Sequence, residues 1–315
     1  MQQITAKVVA DSKFNDVRLT TVESVLPRWL LPELNTHRLL GPWNNGAQSG
    51  NSASSRAIPT ERNIEAVETD PYVPATFNKR VKGMGVGEEF DQERADMARR
   101  WWKMGAEYST LIAKRLNEVG LDKSRVNRTM EPYLWHKVIL SATEWENFFH
   151  LRRPPSGQVD LTFGAQLEMQ MLAIEIYNAI STSMALELEP GEWHLPYITD
   201  DEKMILSDED ACFVSGRRVA AVSFDRDVTD EAYSVSIAKA HGLVSSEHWS
   251  PFEHIARGIT QSDVNDPKTR EHMMMPIDAA KDLLCYDIFD GSKIWSGNLR
   301  GFVQWRMLLD TTSRR

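Results

Sequence analysis

Cysteine is nearly absent: Cys212 and Cys285 are the only two in 315 residues, and no C-x-x-C spacing occurs. That excludes a disulfide scaffold and a cysteine-rich zinc site, and it suits a reducing cytosol. Basic excess is absent as well. A net charge of −9 argues against a sequence-independent grip on polymeric nucleic acid, which needs a basic field over the surface. A small anionic ligand stays compatible with that charge, because a few local arginines can act against the global sign. No apolar run approaches the roughly 18 residues of a membrane span. The N-terminal MQQITAKVVADSK carries no signal-peptide core, so the expectation is a cytoplasmic protein with no membrane partner. Also missing are G-x-S-x-G, a phosphate-binding P-loop, G-x-G-x-x-G after a strand, internal repeats and low-complexity tracts. Spacing alone singles out no nucleophile–base pair.

What remains is an ordinary globular composition, 42% hydrophobic and 26% charged, enough to bury a sizeable core. Residues 3–10 alternate as a strand does, and 17–31 is rich in Val, Leu and Thr until Pro27 and Pro32 break it. From Thr60 to about Phe90 the polar, proline- and glycine-containing chain reads as loop. Residues 91–118 predict a long amphipathic helix, acidic at its start and ended by Gly120. Further helices are expected over 132–151, 165–184 and 229–242, and strands over 218–224 and 301–309. Helices predominate, and the strands do not alternate strictly with them. The expected class is α+β, with long helices packed on a small mixed or antiparallel sheet.

Three constellations could carry chemistry. The first is arginine: Arg38, Arg56, Arg128 and Arg152, with His37, Ser49, Ser54 and Ser55 nearby in sequence. A guanidinium fork and a Gly/Ser loop suit phosphate and carbonyl oxygens, although a merely solvated polar loop would look alike. The second is HWSPFEH, 248–254. Its two histidines lack H-e-x-x-h spacing and a proline lies between them, so a structural turn is favoured over a metal site and no metal is expected. The third is AQLEM from Ala165, where Gln166 and Glu168 either complement a helix N-terminus or face a ligand. In SGNLRGFVQWR, Asn298 and Arg300 could border a pocket beside a core strand.

These pieces together resemble the flavin-dependent thymidylate synthase (ThyX) family. Its signature R-H-R-x-x-S-x-N-E-x-S-x-R-Y is approached by Thr36-His37-Arg38 and then Ser49-x-Asn51-Ser52-x-Ser54-x-Arg56, with LLGPWNNG and neighbouring residues inserted between the halves. NRTMEP resembles the family's A-R-x-x-L-P at Arg128. NFFHLR matches N-F-x-x-L-R at Asn147 and Arg152, and AQLEM matches A-Q-x-E-I. RVAAVSF, AKAHG and HWSPFEH resemble a block that in the family precedes R-H-R and here follows it, which implies a circular permutation. That is physically acceptable where the original termini lie close together. The implied organisation is a single catalytic domain over 1–315, with signature loop and helices in 17–190 and the permuted part in 191–315. The variant motifs look like a divergent, phage-associated branch, which would place the protein in the host cytoplasm.

The resemblance implies transfer of a one-carbon unit from methylenetetrahydrofolate to carbon 5 of dUMP, with FAD reduced by NADPH and no enzyme nucleophile. It implies catalytic roles for Arg152, Arg128 and His37. It implies substrate contacts from Glu33, Ser54, Ser55, Arg56, Arg128 and Arg152. Cofactor contacts would come from His37, Arg38, Asn51, Asn147, Gln166, Ser250 and Glu253, in a homotetramer with shared sites. Thr36, Ser52, Ala57 and Gly164 depart from the family, and Gly164 stands where a flavin-stacking histidine is usual. With Glu33 as an extra acceptor, dCMP as substrate or a hydroxymethyl product is a second reading. A nucleotide-binding homologue that has lost flavin catalysis is a third.

Overall fold

The computed structural model of the chain describes residues 2–35, 49–52, 54, 56–82, 86–222, 228–274 and 289–313. Its centre is a five-stranded sheet in the order β3-β4-β2-β1-β5. β1 (Thr5–Phe14) and β2 (Val17–Pro27) form a hairpin in which Phe14 faces Val17. Asn15 and Asp16 turn it with φ of 45° and 62°, the left-handed pair whose twist suits a two-residue hairpin. β4 (Trp135–Ala142) pairs antiparallel with β2 and, on its other edge, with β3 (Ser49–Ser52). The short β5 (Leu186–Glu187) adds in parallel beside β1, which makes the sheet mixed.

Alternation along β2 sorts the two faces. Val22 and Leu26 join Val138, Leu140, Phe148, Leu172 and Ile176 in the main core, under helix α6 (Leu167–Thr182). Val17 and Leu19 point the other way and pack with Phe14 of β1 and with Ala256 and Phe302 from the last third of the chain. Because both faces are covered, β2 is buried along nearly its whole length, its polar Thr20, Thr21, Glu23 and Ser24 included. The long helix α3 (Gln92–Glu118) is capped by Asp91, whose carboxylate accepts the Arg94 N–H at 3.0 Å. It packs on α2 (Thr60–Thr69) and α4 (Lys123–Arg128) through Ala106, Ala113, Ile64, Val67 and Val126. The expected α+β class is what the chain adopts.

Four expectations need correction. The segment 132–151 is not one helix: β4 comes first, and α5 (Glu146–Arg152) follows. The run WHKVILSA has partners on both edges, and pairing outweighs helix propensity there. Residues 218–224 were expected as a strand, but Arg218 to Ala221 end helix α8 (Asp208–Ala221). Ser207 starts that helix by accepting the Asp210 N–H at 3.2 Å. It is buried on nearly all sides, so its apolar run carries no readable period. The polar stretch after Pro59 begins with helix α2, not loop, and Ile64 and Val67 are its buried side. In 301–309 only Phe302–Gln304 are strand, and a helix over Trp305–Ser313 completes the described chain.

Between these lie α1 (Leu31–Asn35), α7 (Asp200–Ile205) and α9 (Tyr233–Ser245), and the 3-10 turn Ser250–His254. Gly216 of α8 is required there, because a Cβ would overlap the Phe252 ring of that turn.

Candidate functional site

Strand β3 carries the second half of the signature loop, and it lies against the 3-10 turn made from SPFEH. The joint is polar. Gln304 Nε2 donates to the Ser49 hydroxyl at 3.1 Å, to Asn298 Oδ1 at 2.7 Å and to the Glu253 carbonyl at 3.1 Å. Ser49 in turn donates to Asn298 Oδ1 at 3.0 Å. Asn298 is therefore part of the joint that holds the loop, a place sequence had offered only as a pocket border. The Glu253 carboxylate is ion-paired with Arg306. Arg300 is likewise paired, with Glu144.

Beneath this joint runs a buried chain of hydrogen bonds. His254 Nδ1 meets Ser141 Oγ at 2.8 Å, and Ser141 Oγ meets Thr21 Oγ1 at 2.5 Å. Thr21 Oγ1 meets His194 Nε2 at 2.7 Å, and His194 Nδ1 meets Ser12 Oγ at 2.8 Å. Burial pushes both histidines down to about 3, with the neighbouring His194 adding to the effect on His254. Both rings are neutral near pH 7. Each interior hydroxyl then donates once and accepts once, and neutral His194 does the same. The arrangement that uses every hydroxyl proton runs all four bonds in one direction, and it couples the tautomers of His194 and His254. His254 Nε2 is buried and has no hydrogen-bond partner. Among the described residues no group of three or more His, Cys, Asp and Glu side chains is placed to hold a metal ion.

A second cluster surrounds the AQLEM segment. Gln166 precedes α6, and its amide nitrogen faces Glu33, donating to Oε1 at 2.8 Å and Oε2 at 3.1 Å. Two residues singled out for substrate and cofactor are thus brought together. Glu168 accepts the Tyr72 hydroxyl at 2.7 Å. Burial first, then the Glu168 charge, pushes the Tyr72 hydroxyl far above its ordinary pKa, so it remains a donor. Tyr72 packs edge-on against Trp29 and Trp135, with ring centroids 5.9 and 5.2 Å away. The indole nitrogens of both tryptophans are buried without partners. Behind them Arg28 donates to His136 Nδ1 at 3.1 Å, which leaves the His136 proton on Nε2, also buried and unpartnered. None of Tyr72, Trp29, Trp135 or His136 was singled out from sequence, because tryptophan and tyrosine read as core. The unmatched N–H groups that mark them are visible only in three dimensions.

The arginines divide. Arg152 ends α5 half-buried, and its Nε is buried with no partner. Its neighbour Arg153 lies 3.8 Å over the Tyr177 ring. Arg128 ends α4 and is exposed; Arg56 and Ser54 are exposed in the turn after β3. Among the described residues, none of these three hydrogen-bonds to another or to Arg152. Asn147 is half-buried in the first turn of α5, and Ser250 is exposed at the start of its 3-10 turn. Asn51 stands in β3 opposite Ile139. Thr36, His37, Arg38 and Ser55 lie outside the described residues.

Arg152 supplies an unmatched buried N–H, and Arg128 and Arg56 supply free forks. At Gly164, a Cβ would meet no atom within 4 Å, so the position faces open space. Cys212 is buried, and burial pushes its thiol well above the ordinary value, which removes it as a nucleophile.

No protein-family model and no curated protein matches the chain. Among solved structures it is similar to the UMP/dUMP methylase PolB from Streptomyces cacaoi. The form bound with 5-Br UMP gives 13% identity and a TM-score of 0.44, over 59% of this chain and 91% of that one. The form bound with 5-Br dUMP gives 13% and 0.43, over 59% and 92%. Likeness at this level carries no inference about activity.

Proposed function

We propose that the chain transfers a one-carbon unit from methylenetetrahydrofolate to carbon 5 of a pyrimidine deoxynucleoside monophosphate, using FAD and NADPH. The observation that carries this reading is the joint of Ser49, Glu253, Asn298 and Gln304. It seats the S-x-N strand of the signature against the S-P-F-E-H turn, although Ser49 and Gln304 are 255 residues apart. The family resemblance requires these two motifs at one site, and their contact supports that reading. A permuted chain order is compatible with that meeting.

In this reading Ser54, Ser55, Arg56 and Arg128 bind the phosphate and sugar. Arg152 directs its unmatched N–H toward the pyrimidine, where fixed positive charge stabilises electron density gained by the ring. His37, Arg38, Asn51, Asn147, Ser250 and the Glu253 segment hold flavin and folate. Arg306 neutralises the Glu253 carboxylate and fixes its orientation. Reduced flavin, when bound, supplies the hydride. The chain itself supplies no nucleophile, in keeping with the inert Cys212.

Glu33 favours a cytosine substrate as the second reading. Its carboxylate is oriented by Gln166, and an amino group can donate to a carboxylate where a carbonyl cannot.

The test is tritium release from carbon 5 of labelled dUMP and dCMP by the purified, FAD-loaded protein. Release from either base supports the reaction, and the base released identifies the substrate. A protein that takes up no flavin and releases nothing, yet binds dUMP or dCMP in a calorimetric titration, is a nucleotide-binding homologue.

A further inference from the structure

Helix α3 buries one side against α2 and α4 and leaves the other bare. Met97, Trp101, Met104, Tyr108 and Leu111 are all exposed, Trp101 at 65% and Tyr108 at 58%. Their spacing of four, three, four and three residues is a heptad seam sustained over most of the helix. Contiguous exposed apolar surface of this kind on a soluble chain marks an interaction site.

We infer that this seam pairs with the same seam of a second copy, antiparallel about a two-fold axis between Trp102 and Lys103. The charges flanking the stripe select that partner and that register. In it, Trp101 meets Met104 of the partner subunit, and Met97 meets Tyr108 of the partner subunit. The flanking positions then place Arg100 against Glu107 of the partner subunit, and Glu93 against Lys114 of the partner subunit. All four are exposed on the seam's edge. Within its own chain only Lys114 is paired, with the exposed Glu68 at 2.6 Å. A shift of one heptad would bring Arg100 onto Lys114 and Glu107 onto its own copy. A parallel pair would set the same charges against Ala98, Gly105 and Ile112. Only the first arrangement satisfies every charge, and a self-complementary patch is what a two-fold dimer requires.

Sedimentation of the full chain across micromolar concentrations tests this. A dimer, or a tetramer of two such dimers, is expected, and Trp101→Glu, an exposed change that leaves the core intact, should halve the mass of either. Arg100→Glu and Glu107→Arg should each weaken association about 10-fold, since each replaces two attractive pairs by two repulsive ones. The double variant should restore it. In a Cys285→Ser background, Met97→Cys with Tyr108→Cys should cross-link between copies, and Trp101→Cys with Leu111→Cys should not. A monomer at all concentrations, a dimer or tetramer indifferent to Trp101→Glu, or no rescue in the charge-swapped double variant overturns the inference.

Discussion

Gln304 Nε2 donates to the Ser49 hydroxyl at 3.1 Å, so the last strand of the chain holds the loop that bears the candidate signature. Gln304 is buried and its amide serves three acceptors. Gln304→Leu keeps the volume and strips all three of a donor. A loss of about 1–3 kcal/mol is expected, read as a lower urea midpoint at unchanged m-value. An unchanged midpoint would mean that the joint carries no stability.

His194, His254 and His136 predict a pH dependence with a definite sign. Burial holds each at about 3 in the folded chain, helped by the Arg28 charge at His136, whereas the unfolded chain binds protons near 6.5. The unfolded state therefore binds more protons between these values. Stability is complete above about pH 6.5 and falls as pH drops toward 3, by up to about 1.4 kcal/mol per unit for each histidine. The window from pH 5 to 6.5 isolates the histidines from the carboxylates Glu202 and Glu231, which titrate lower. Chemical denaturation at stepped pH should show this slope, and it should be shallower in His194→Gln. Equal slopes in the two proteins would contradict the assignment.

Arg218 makes two bonds to Glu202, of 2.8 and 2.6 Å, with both side chains largely buried. Arg218→Met leaves that carboxylate without its partner, and a cost of about 3–5 kcal/mol is expected. Adding Glu202→Leu should recover much of it. Guanidinium unfolding of the single and double variants measures both, and a double variant no better than the single would refute the pairing.

Two glycines make opposite predictions. Gly216→Ala drives a methyl into the Phe252 ring and should cost about 1–3 kcal/mol. Gly164→Ala meets open space and should change stability by no more than about 0.5 kcal/mol. Thermal unfolding distinguishes them, and equal shifts would show that the packing around Phe252 is misdescribed.

Much of this was legible in the sequence where one physical signal dominated. The acidic start of α3, its apolar period and Gly120, which has φ of +79°, mark a helix that needs no tertiary context. The alternation of residues 3–10 marks the first strand, whereas its pairing with β2 through the Asn15-Asp16 turn is read only from the structure. The segments misread were those decided by neighbours. WHKVILSA becomes strand because β2 and β3 flank it, and α8 hides its period because it is buried all round. At the site, Gln166 and Glu33 could be named from motifs, and their mutual bond could not. His194, a lone histidine in EWHLP, gave no hint of its place in the chain from Ser12 to His254, since its partners come from strands far off in sequence.

The proposed reaction assigns Arg152 and its unmatched N–H to the pyrimidine. If that group meets the pyrimidine, Arg152→Ala should fold with unchanged stability, bind FAD as the parent does, and lose about 10- to 100-fold in kcat/KM, the worth of one charge-assisted hydrogen bond. The most direct measurement is carbon-5 tritium release from dUMP and dCMP, parent and variant side by side. The account predicts release by a yellow parent protein and its strong loss in Arg152→Ala. No release from either nucleotide, or equal release from both proteins, would contradict it.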